Sequence, residues 1–127
     1  MRALVIDDSR AMRRIVSGIL EGLGYEVQPA GHGREGLDVL DSGWVPDLAC
    51  VDWNMPVMDG LQFVSAVRAN PAYRNVTIMM VTSESEHTQI VRALAAGAHE
   101  YVIKPFTADA IRDKLALLGL LPEEVAL

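Results

Sequence analysis

The stretch Ala3-Leu4-Val5-Ile6-Asp7-Asp8-Ser9 decides how the rest of the chain reads. Four apolar residues in succession, stopped by two carboxylates, are the signature of a short strand buried on both faces. Directly after it, Met12, Ile15, Val16, Ile19, Leu20 and Leu23 recur on one helical stripe. Ser9 offers an N-cap hydroxyl and Gly24 a C-terminal stop. A buried strand feeding an amphipathic helix is the unit from which parallel sheets are built, because consecutive parallel strands need a crossover.

The unit recurs four more times. Residues 25–30 read as a second strand, and Pro29 inside it lacks a ladder donor, which puts that strand at a sheet edge. A short helix follows over 33–40. Residues 47–51 form a third strand led by Leu48, Ala49 and Cys50, and a helix carrying Phe63, Val64 and Val67 begins near Asp59-Gly60. Residues 76–81 are the most apolar strand. Val91, Leu94, Ala95 and Ala98 mark the apolar stripe of a fourth helix, with Gly97 near its end. Residues 101–103 make a fifth strand, and Thr107 caps a last helix carrying Ile111, Leu115 and Leu118, closed by Gly119. Right-handed crossovers place helices on both faces, so the expected fold is α/β: an open five-stranded parallel sheet in a three-layer sandwich.

Composition bounds the rest. The 127 residues hold 11 basic and 17 acidic side chains, a net charge of −6, and half are hydrophobic. That suits one globular domain, expected over 1–119, with an apolar tail over 120–127 in which Pro122, Glu123 and Glu124 resemble a helix start. The acidic balance argues against non-specific nucleic-acid binding, which needs a basic face. A single cysteine, Cys50, excludes an internal disulfide and a zinc site built on several cysteines, and fits a reducing cytoplasm. The first apolar run ends too early for a signal peptide or a membrane span.

In open parallel sheets, ligands bind beyond the carboxyl ends of the strands. Those ends carry Asp7 and Asp8, then Asp52, then Thr82, then Lys104. Three carboxylates on one rim repel unless they take up protons or share a cation, and one ammonium neutralises only part of their charge. All the available ligands are oxygens, which selects a hard divalent ion, Mg2+ or Mn2+.

These residues carry a family resemblance. Ile6-Asp7-Asp8-Ser9, Val51-Asp52-Trp53-Asn54-Met55-Pro56 with Met58-Asp59-Gly60, Met80-Val81-Thr82 and Tyr101-Val102-Ile103-Lys104-Pro105-Phe106 resemble, in order and at matching spacing, the response-regulator receiver domain, and among receivers the CheY type of bacterial chemotaxis. The resemblance implies a flavodoxin-like strand order 2-1-3-4-5. It implies that Asp52 accepts a phosphoryl group from a sensor histidine kinase. It also implies that Asp7, Asp8, Asp52 and the backbone carbonyl of Asn54 hold Mg2+, and that Thr82 and Lys104 contact phosphoryl oxygens. Lys104 and Pro105 are expected to be joined by a cis peptide. Thr82 and Tyr101 would switch a helix 4–strand 5–helix 5 face that binds a target protein. Asn54, Ser83 and Glu84 would tune the lifetime of the phosphoryl group. The protein is expected to be a cytoplasmic monomer that catalyses only its own phosphorylation and dephosphorylation. A phosphorelay intermediate or phosphate sink is the alternative. A small haloacid-dehalogenase-like phosphatase is more distant, since that family wants an aspartate where Asn54 stands.

Gly31-His32-Gly33-Arg34-Glu35-Gly36 matches the dinucleotide-binding G-x-G-x-x-G pattern. It follows the second strand rather than the first and leaves Asp7, Asp8 and Lys104 unexplained, so its glycines are assigned to a turn and close packing. His32, His87 and His99 are scattered and are assigned to the surface, and Cys50 to the core.

Overall fold

A computed structural model describes residues 1–83 and 87–121. Strands β1 (Arg2–Ile6), β2 (Glu26–Ala30), β3 (Leu48–Asp52), β4 (Thr77–Ser83) and β5 (Glu100–Lys104) alternate with helices α1 (Arg10–Gly22), α2 (Gly33–Asp41), α3 (Gly60–Ala69), α4 (His87–Ala96) and α5 (Ala108–Leu117). All ladders are parallel and the strand order is β2-β1-β3-β4-β5. Pro29 sits in β2 at the sheet edge, where a missing N–H costs no ladder bond on the open side.

The period-two alternation of the strands divides the interior into two cores. Leu4, Ile6, Ala49 and Val51 face one way and pack with Phe63, Val64 and Val67 of α3 and Leu37 and Leu40 of α2. Ala3, Val5, Leu48 and Cys50 face the other way and pack with Val16 and Leu20 of α1 and Ile111 and Leu115 of α5. Fully burying each larger side chain contributes about 1.5–3 kcal/mol, so a strand that feeds both cores is held from both sides. Leu120 and Leu121, at the start of the tail, pack against the second core, and the Tyr25 hydroxyl donates to the Leu120 carbonyl. Residues 122–127 lie outside the described residues.

The caps follow the sequence. Ser9 Oγ accepts the Met12 amide at 3.2 Å, and Thr107 Oγ1 accepts that of Ala110 at 3.1 Å. Asp59 and Gln62 form a reciprocal capping box at the start of α3. Gly24 and Gly119 take positive φ just beyond α1 and α5.

One stripe is corrected. Ile90, Ala93 and Ala98 are the buried residues on and just after α4, whereas Val91 is 65 % and Leu94 38 % exposed and Ala95 is also exposed. The apolar residues occur almost all round this helix, so periodicity alone could not select the inward side. Small Ala93 lies where α4 packs close to the first core. Ile15 in α1 is also half exposed, although its neighbours Val16 and Ile19 pack inward. The strand ends run one or two residues further than the apolar runs suggest, so Asp52, Thr82 and Lys104 are strand residues rather than the first residues of loops.

Candidate functional site

Asp7 follows β1 directly, Asp52 ends β3, Thr82 is the penultimate residue of β4 and Lys104 ends β5. The parallel register aligns these ends. Asp52 pairs with Val81, and Ser83 pairs with Lys104. One carboxylate oxygen each from Asp7, Asp8 and Asp52 lie within 4.8 Å of one another. Asp7 and Asp52 are buried and Asp8 is exposed, so the cluster opens to solvent on one side.

Lys104 is the cation of this rim. Its Nζ lies 3.3 Å from Asp7 Oδ2 and 3.3 Å from Asp52 Oδ1, spanning two β-strand ends from a third. Burial pulls the ammonium toward its neutral form, but the charges of Asp52 and Asp7 and the hydrogen bonds to them outweigh it, and its pKa is raised. Asp52 moves the other way in energy. Burial first, and the Asp7 carboxylate second, push its pKa up to about 6, against the opposing pull of Lys104 and the Trp53 amide, which donates to Oδ1 at 2.9 Å. Three carboxylates and one ammonium leave −3 + 1 = −2 on the rim, the charge that one divalent cation cancels.

The donor set fits such an ion. Every candidate ligand is a carboxylate or backbone oxygen, and the spread of 4.8 Å is that of oxygens able to surround one small cation.

The turn after β1 is braced twice. The Ser9 amide donates to Asp7 Oδ1 at 2.9 Å, and Arg13 Nη1 donates to the Asp7 carbonyl at 2.6 Å. The sequence reading missed Arg13, because an arginine on a helix flank carries no apolar or motif signal. After β3, the Gly60 amide returns to the Trp53 carbonyl at 2.9 Å, and a Cβ on Gly60 would stand 2.5 Å from the Asp52 carbonyl oxygen. Only glycine allows α3 to start so close behind the acid.

Thr82 is buried in β4, one residue beyond the ladder partner of Asp52. Asn54 is exposed, two residues past Asp52, and Ser83 is half-buried. Glu84 lies outside the described residues. Tyr101 stands on the edge strand β5, half-buried against the first core, with Lys114 Nζ 4.9 Å from its ring centroid and paired to Glu100 at 3.1 Å. The Lys104–Pro105 peptide is cis.

The decoys resolve into packing. A Cβ on Gly33 would lie 2.8 Å from the Met58 carbonyl oxygen, and one on Gly36 would lie 2.5 Å from Ile6 Cδ1, so both glycines serve close approach. Of the histidines with described side chains, His99 is exposed and His32 half-buried, and both are bonded: His32 Nδ1 accepts the Glu35 amide at 3.1 Å and His99 Nδ1 accepts that of Ile78 at 3.2 Å.

Known proteins are similar to this chain in sequence and fold. A family model described as the response regulator receiver domain matches residues 3–116. Chemotaxis protein CheY1 of Helicobacter pylori is 41 % identical over 119 residues, covering 93 % of this chain and 96 % of that protein. Chemotaxis protein CheY of Pseudomonas aeruginosa is 40 % identical over 116 residues, covering 91 % and 93 %. Among solved structures, the chemotaxis response regulator CheY4 of Vibrio cholerae superposes with a TM-score of 0.84 at 36 % identity, covering 92 % of this chain and 97 % of that one.

Proposed function

We propose, from the premise that this chain belongs to the response-regulator receiver family, that it takes a phosphoryl group onto Asp52 from the phosphohistidine of a sensor kinase and passes the signal to a target protein, in chemotaxis. Receivers are signalling regulators rather than members of a classical enzyme family. The chemotaxis assignment rests on the relatives, which are chemotaxis proteins over nearly their whole length. The observation that carries the chemistry is the shared ammonium: Lys104 at 3.3 Å from both Asp7 and Asp52, inside a cluster of three acids.

In this reading an Asp52 carboxylate oxygen attacks phosphorus. The phosphorus–nitrogen bond of the donor histidine breaks, its electron pair stays on the imidazole, and an acyl phosphate remains on Asp52. Asp7, Asp8, Asp52 and the Asn54 carbonyl would hold Mg2+, which would supply charge neutralisation for the incoming phosphoryl oxygens. The protein's own work is positioning. β3 presents Asp52, and the Trp53 amide orients its carboxylate. Lys104 is then able to leave a carboxylate for a phosphoryl oxygen, since its pair with Asp52 is no longer needed once that acid is phosphorylated. Thr82 offers its hydroxyl to another oxygen. A hydrogen bond to a charged group contributes roughly 1.5–3 kcal/mol, enough to shift a two-state equilibrium by about ten- to a hundredfold. That is the scale on which Thr82 and Tyr101 would switch the α4–β5–α5 face toward a target. Asn54, Ser83 and Glu84 are the residues that would tune how long the adduct lasts. This reading takes the protein as a cytoplasmic monomer with its receiver domain over residues 1–119 and a C-terminal tail over 120–127.

The test is incubation with acetyl phosphate and Mg2+, read by intact-protein mass spectrometry. Wild type is expected to gain one phosphoryl group. Asp52→Asn, or wild type with the metal chelated, is expected to gain none. An adduct that survives in Asp52→Asn assigns the chemistry elsewhere and ends the reading.

A further inference from the structure

The loop between Asp52 and α3 contains a conformation that its sequence does not favour. Val57 has φ +69°, the only non-glycine residue at positive φ among the described residues. The Met58 amide donates to the Pro56 carbonyl at 2.7 Å, closing a three-residue γ-turn with Val57 at its centre. A β-branched residue there is a true outlier, because its Cβ substituents crowd the backbone that glycine or asparagine would tolerate. The side chain gains nothing from the fold in return, since Val57 is 77 % exposed.

The turn is imposed from both ends. The Gly33 amide donates to the Met58 carbonyl at 3.2 Å, the Gly60 amide to the Trp53 carbonyl at 2.9 Å, and Asp59 is committed to the α3 capping box. These bonds explain the shape of the loop but not the choice of valine at its apex. An exposed apolar side chain held in a strained turn points to a use outside the monomer.

Position selects the occupant. The bond to Gly33 ties this loop to the start of α2, on the β2 side of the acidic rim and away from the edge strand β5. A target gripping the α4–β5–α5 face would not cover it. A protein that delivers its histidine to Asp52, five residues earlier at the end of β3 and itself buried, must lay its surface over the rim. We propose that Val57 is an apolar contact for the phosphohistidine-bearing donor protein and sets how well this chain is recognised by it. The proposal rests on Asp52 as phosphoacceptor and deepens that reading.

The experiment compares two donors on wild type, Val57→Asn, Val57→Gly and Val57→Leu. One is acetyl phosphate, which needs no protein surface. The other is the isolated phosphohistidine domain of a chemotaxis kinase. Asparagine and glycine are expected to raise the thermal midpoint of the free protein and leave the acetyl phosphate rate unchanged. They are expected to lower kcat/KM for the protein donor by about three- to tenfold, the scale of one small apolar side chain left unburied. Leucine keeps an apolar tip and is expected to retain most of the transfer rate. Equal protein-donor rates in all four proteins overturn the proposal, as does a loss confined to target binding. Wild type that accepts phosphoryl from neither donor overturns the receiver reading itself, a separate and visible failure.

Discussion

The two ends of the sheet handle charge in opposite ways. At the carboxyl ends of the strands, Asp7 and Asp52 are buried side by side with Asp8 close by, and Lys104 is shared between the first two. At the other end, charge is matched to backbone. Arg68 of α3 donates from Nη2 to the Val76 carbonyl at 2.7 Å and from Nε to that of Gly97 at 3.0 Å, and Nη1 reaches the Tyr73 and Arg74 carbonyls at 3.4 Å. Gly97 has φ +123°, and a Cβ there would fall 2.6 Å from Arg68 Cγ, so the backbone makes room for the arginine stem. One guanidinium thus gathers the loops that lead into β4 and β5. The amide of Arg2 in β1 and the Asp47 carboxylate ahead of β3 join at 2.8 Å. The first end stores like charge and a strained turn; the second satisfies its polar groups. Excess charge and strain mark where the molecule is built to react, because a fold selected only for stability would have relieved both.

The largest expected effect is at the matched end. Arg68→Ala should lower the free energy of unfolding by about 3 kcal/mol, since it leaves several carbonyls without a charged donor. Arg68→Lys should recover only part of it, lacking the fork. Urea denaturation measures both, and a loss near zero would dissolve the contrast between the two ends.

The acidic rim should answer with the opposite sign. Asp52→Asn removes one of two adjoining buried charges and should stabilise the metal-free protein by about 1–2 kcal/mol at neutral pH, after allowance for partial solvent screening. A destabilised Asp52→Asn protein would mean that Lys104 more than compensates the pair.

The smallest effect is a pH dependence at His99. Its neutral ring accepts the Ile78 amide and faces Arg68 Nη2 at 3.3 Å, and burial followed by the Arg68 charge lowers its pKa. The unfolded state therefore binds the proton more readily. The stabilisation is complete above the unfolded pKa of 6.5 and is lost as pH falls through the folded value. Asp52 opposes it: with a folded pKa near 6 against 3.8 unfolded, its contribution is full below 3.8 and is lost as pH rises through 6. The two overlap between about pH 4 and 6.5, so the measurement belongs in Asp52→Asn protein. There, the urea midpoint should fall between pH 7.5 and 5, and His99→Gln should flatten that fall.

Asp7, Asp8, Asp52, Thr82 and Lys104 were legible as a group because each stands at the end of an apolar run, and parallel topology carries all such ends to one rim. Val57, Arg68 and the inner side of α4 were not. A γ-turn leaves no pattern when its apex is valine. The carbonyl acceptors of Arg68 come from four residues whose side chains are irrelevant to those bonds. The apolar surface of α4 is too broad for period alone to orient it.

What the amino-acid order determined by itself is therefore the alternation of strand and helix, the edge position of β2 through Pro29, the helix caps at Ser9 and Thr107, and the set of acids that must meet. These follow from local hydrophobic period, side-chain capping and the handedness of crossovers, which act within a few tens of residues. The tertiary structure alone decided that one ammonium spans two carboxylates, that burial drives Asp52 up to about 6, and that Val57 is held at positive φ. Those outcomes depend on distances between segments far apart in the chain and on the exclusion of water among them, and neither is a property of any one stretch of sequence.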